Sequence, residues 1–110
     1  MTLHSFGNAV PIQMDMLQLV GYEAVGRDMR PASGGNSRKR TMREGLHSLR
    51  RATGVDFGCH AAAWRDYLIE HGDETGYTHR YAFESVDRAV LEALADPEVL
   101  TALRQLSAPN

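Results

Sequence analysis

Between Ser85 and Leu106 the chain carries two apolar stripes at helical spacing, divided by Asp96-Pro97-Glu98. Val86, Val90, Leu91 and Leu94 form the first stripe behind Ser85, a capping residue. Leu100, Leu103 and Leu106 form the second. Asp96 offers a capping carboxylate, Pro97 suits a first helical turn, and Glu98 lies near the positive end of the helix dipole. Helices this short are marginal alone and must bury one another's apolar faces. These two segments therefore demand helical neighbours.

The neighbours are legible upstream. Met42, Leu46 and Leu49 fall at i, i+4 and i+7 of a helix over 38–53, which Gly54 ends in a left-handed cap. Ala61, Trp64 and Leu68, with Tyr67 beside them, share a face of a helix over 61–71, which Gly72 stops. Residues 31–37, Pro-Ala-Ser-Gly-Gly-Asn-Ser, read as a flexible loop, and the polar stretch 72–82 reads as another. Residues 1–10 and 107–110 read as ragged termini. The N-terminal third has two readings. One is a helix from Pro11 to about Met29, with Met16, Leu17, Val20, Ala24 and Val25 on its face. Gly21 and Gly26 each weaken that helix by about 1 kcal/mol, and the competing reading is a pair of short strands near Leu17–Val20 and Tyr22–Val25. The fold expected is all-α: a single domain over 1–110, a small bundle of about five helices.

A chain of 110 residues with 43% apolar and 24% charged content can bury a core without metals or disulfides, and is not disordered by composition. The single cysteine, Cys59, excludes an internal disulfide. No basic start precedes an apolar run and no stretch is long enough to span a bilayer, so the cytoplasm is the expected location. The net charge of −2 is polarised: residues 1–51 carry about +4 and residues 52–110 about −6.

Residues 53–67, Thr-Gly-Val-Asp-Phe-Gly-Cys-His-Ala-Ala-Ala-Trp-Arg-Asp-Tyr, resemble a motif of bacterial HEAT-repeat-like proteins, roughly T-G-x-D-F-G-x-D-x-x-A-W-R-x-W. Thr53, Gly54, Asp56, Phe57, Gly58, Ala63, Trp64 and Arg65 match it. His60 stands where an acid usually caps the second helix, and Tyr67 replaces a second Trp. The resemblance implies a corner between two antiparallel helices, in which Phe57 packs on Trp64, Asp56 pairs with Arg65 and the glycines permit the turn. It implies a HEAT-like helical hairpin plus C-terminal helices, a scaffold of the kind used to bind proteins. One motif makes one helix pair, short of an array.

Two charged clusters are candidate interfaces. Asp66, Glu70, Asp73 and Glu74 gather near the end of the third helix and read as a protein-binding acidic face. Arg38, Lys39, Arg40, Arg43, Arg50 and Arg51 are open to two functional readings, a protein contact or a nucleic-acid site, and against the second stands the slightly acidic whole. For both, a merely solvated face is the competing reading. Tyr77, Arg80, Tyr81 and Phe83 read either as interface anchors or as a staple for the next helix.

Chemistry is less legible. Cys59-His60 are adjacent and lack an orienting third group. None of His4, His47, His60, His71 and His79 pair at i, i+4, and no second cysteine exists, so neither a metal nor another cofactor is expected. No phosphate-loop, dinucleotide, nucleophile-elbow or zinc-protease motif occurs. The functional expectation is a non-catalytic protein-binding module, most concretely a small inhibitor or immunity-type protein that occludes a basic toxin or effector. The alternative is a nucleic-acid-associated regulator or phage-type accessory protein using the helix over 38–51. No membrane partner is expected, and the composition suits a homodimer as well as a monomer.

Overall fold

The computed structural model describes residues 9–26 and 28–107. The expectations for 1–8 and 108–110, and for His4, lie outside the described residues. In chain order the elements are α1 (Pro11–Leu19), β1 (Tyr22–Val25), β2 (Asp28–Pro31), α2 (Gly35–Thr53), α3 (Ala61–Glu70), α4 (Gly72–Thr75), α5 (Phe83–Leu94) and α6 (Pro97–Ser107). The fold is mainly helical, but the all-α expectation needs correcting for one antiparallel hairpin.

Pro11 opens α1 at its first turn, as expected. The helix does not reach Met29. Gly21 takes φ +99, a left-handed conformation that ends the helical run, and the chain turns back through Gly26 at φ +61. Tyr22 pairs with Pro31 and Val25 with Asp28. Of the two strands read for this third, Tyr22–Val25 is a strand, whereas Leu17 and Leu19 are helical and fully buried. The hairpin is tied to α2 by Thr41, whose Oγ1 donates to the Tyr22 carbonyl at 2.9 Å.

Helix α2 starts at Gly35, inside the expected loop, with the Arg38 N–H bonded to the Gly34 carbonyl at 2.8 Å. First-turn residues owe no intrahelical donor, so the loss of about 1 kcal/mol at Gly35 is small against docking a long helix. Its stripe Met42, Leu46, Leu49 is buried as expected. Among the described elements, α1 and α2 pack against each other most extensively. Gly45 makes it possible: a Cβ there would overlap the Leu19 amide nitrogen and stand 2.7 Å from the Asp15 carbonyl oxygen.

Two stripes are rotated from the expected ones. On α5, Val86, Ala89, Val90 and Ala93 face the core, while Leu91 is 47% exposed. On α6, Val99, Ala102 and Leu103 are buried and Leu100 is 40% exposed. Both helices bury an alanine-containing face and leave a leucine at the surface. Within 72–82, expected as loop, residues 72–75 form the single turn α4, closed by Gly76 at φ +86. Tyr77 then enters the core completely. Buried Gln13 fixes this segment: its Nε2 donates to the Tyr77 carbonyl at 2.9 Å while its Oε1 accepts the Val10 N–H. Among the described residues no helix is long and apolar enough to cross a membrane.

Candidate functional site

The corner over 53–67 is built by local hydrogen bonds. Gly54, at φ +75, caps α2 by donating its N–H to the Arg50 carbonyl. Asp56 Oδ1 accepts the Gly58 N–H at 2.7 Å and the Arg50 Nε at 2.8 Å. These two donors, Arg50 first, hold the Asp56 carboxyl below its ordinary range. The ring of Phe57 meets Trp64 edge-on at 5.0 Å, as the motif implies, and Trp64 Nε1 donates to the Gly58 carbonyl at 2.8 Å. His60 caps α3, its Nδ1 accepting the Ala63 N–H at 3.1 Å.

The expected pairing of Asp56 with Arg65 does not occur. Arg65 follows Trp64 on α3 and so points about 100° round the helix from the core. There it forms a bidentate pair with Asp87 of α5, at 2.7 and 2.8 Å. Tyr77 donates its hydroxyl to the same carboxylate at 3.3 Å. Burial, reinforced by the Asp87 charge, pushes the Tyr77 phenol upward.

Beside Cys59, the His60 imidazole has its Nδ1 engaged at the start of α3. Burial pushes the Cys59 thiol upward, away from the thiolate that a nucleophile requires. Among the described residues no three His, Cys, Asp or Glu side chains are grouped to hold a metal ion.

The acidic residues lie together in sequence and in place. Asp66 and Glu70 stand on α3, Asp73 and Glu74 on α4, and all four are exposed. None forms an ion pair with Lys or Arg among the described residues; Glu74 lies 3.7 Å from His71 Nδ1. The structure divides the basic residues. Arg38 meets Glu98 of α6 at 3.6 Å, Arg50 is held by Asp56, and Arg51 bonds the His47 ring at 2.8 Å. Lys39, Arg40 and Arg43 have no carboxylate partner among the described residues.

Lys39, Arg43 and Arg50 line a hollow of about 750 Å³ between α2, the corner and the last turn of α6. Leu46, Cys59 and Leu106 supply its apolar lining, and Gln105 and Ser107 its polar far side. Sequence reading grouped all six cations and missed this division. The signal was present in part, because positions 39, 43 and 50 fall at i, i+4 and i+11, one helix face. The α6 contribution had no local signal. Of the aromatic group, Tyr77 is core and Phe83 packs edge-on against it at 5.7 Å, whereas Tyr81 is 68% exposed with Arg80 5.2 Å above its ring. No family model matches the chain, and no curated protein or solved structure matches it.

Proposed function

We propose that the chain is a non-catalytic protein-binding module, most concretely a small inhibitor or immunity-type protein that covers a basic toxin or effector. One observation carries the reading: Asp66, Glu70, Asp73 and Glu74 are all exposed along the α3–α4 turn, and none forms a direct ion pair with Lys or Arg among the described residues. Exposed carboxylates on helical elements steer a basic partner and fix its register. In this reading the corner over 53–67 is scaffold, as its resemblance to HEAT-like proteins implies, and holds α3 in place.

The test is a pull-down from the source organism's lysate, with and without nuclease, using the wild type and the Asp66→Lys/Glu70→Lys/Asp73→Lys/Glu74→Lys variant. The expected result is one stoichiometric basic protein that survives nuclease and is lost with the variant. Equal capture by the variant would sink the acidic face. Bound material that disappears with nuclease would transfer the function to the Arg38–Arg51 helix as a nucleic-acid site.

A further inference from the structure

The hollow between α2 and α6 has a charged wall and an apolar floor. Eleven residues at about 1.5 Å each separate Lys39 from Arg50, so the cationic wall is about 16 Å long. Lys39 and Arg43 are uncompensated by any carboxylate among the described residues, and Arg50 gives its Nε to Asp56 at the far end. Leu46 and Leu106 make the floor aliphatic.

Such a wall attracts polyanions, and the floor chooses among them. Proteins that take single strands of nucleic acid stack bases on aromatic rings. No aromatic side chain lines this groove among the described residues, and nearby Phe57 is committed to Trp64 and Tyr67. On the α6 side the groove is lined by the uncharged Gln105, Leu106 and Ser107, which offer no cation to a ligand charged uniformly along its length. An extended peptide meets both constraints. Its alternate side chains point to opposite sides, so carboxylates can face α2 while aliphatic groups enter the floor, and about five residues at about 3.3 Å each span the wall.

We infer that this groove docks an extended acidic peptide segment bearing aliphatic side chains at alternate positions. The surface is separate from the acidic α3–α4 face and does not depend on it.

The test is fluorescence anisotropy at low salt with a labelled peptide of alternating Glu and Leu, a Lys–Leu counterpart and a short oligothymidylate. The Glu–Leu peptide is expected to bind and the Lys–Leu peptide not to. Lys39→Glu/Arg43→Glu should weaken the Glu–Leu peptide by about tenfold or more, since it reverses the wall. Arg40→Glu, exposed and outside the groove, and Asp66→Lys, on the other face, should each leave affinity within about twofold. Amide shift mapping on the unaltered protein provides a readout free of folding effects, with perturbations expected at Cys59 and Leu106. Failure of the Glu–Leu peptide to bind, equal loss with Arg40→Glu, or tighter binding of oligothymidylate than of the peptide would overturn the assignment.

Discussion

Asp15 offers a sharp test of how α1 and α2 are packed. It lies on α1 beside the Gly45 crossing, is only partly exposed, and has no cationic partner among the described residues. Burial pushes its carboxyl from the ordinary 3.8 up to about 6. At about 1.36 kcal/mol per pH unit, that difference corresponds to about 3 kcal/mol. Water still reaches the group, so a contribution of about 1–2 kcal/mol is the reasonable expectation. The folded protein holds this proton more tightly than the unfolded chain. The group therefore costs nothing below pH 3.8, and its penalty grows as pH rises to about 6, where it levels off. Asp15→Asn keeps the shape and a similar helix propensity while removing the charge. The variant should be more stable than wild type by about 1–2 kcal/mol at pH 7 in urea denaturation, with the gap closing by pH 4. A variant no more stable at pH 7, or a gap that does not change with pH, would refute the reasoning.

Two further substitutions probe the packing. Gly45→Ala should destabilise by about 2–3 kcal/mol, because the atoms its Cβ meets are backbone and cannot swing aside; a thermal midpoint within about 3 °C of wild type would show that the crossing is looser than described. On α5, Val90→Ala should lower stability by about 2 kcal/mol and Leu91→Ala by no more than about 0.5, measured by urea denaturation. Equal losses at the two positions would mean that the helix presents a different face.

The sequence was most informative where one residue type had one conformational use. Pro11, Gly54 and Pro97 stand where helices begin or end, and Phe57 meets Trp64 as the motif implies. Position along the chain was a weaker guide to face. Leu91 and Leu100 are larger than Ala89 and Ala102, yet the alanines are inside, so hydropathy alone does not choose the face of either helix. Arg65 could not be paired correctly from sequence, because its partner Asp87 lies 22 residues away on another helix. The same holds for the cationic groove, whose α6 wall is distant in sequence from Lys39 and Arg43. Gly21 and Gly26 were each a warning that the first helix would stop, and their positive φ values turn the chain into the hairpin.

Gln13 has a consequence for how the molecule comes apart. Its amide is bonded to the Tyr77 carbonyl across 64 positions of sequence, and both residues are fully buried. Opening the segment around Tyr77 strands a buried donor on α1, and withdrawing α1 strands a buried carbonyl at Tyr77, each costing about 1–3 kcal/mol. Neither half loosens without that cost while the other stays intact. The bond acts as a clasp that couples the first helix to the later ones and favours their melting together.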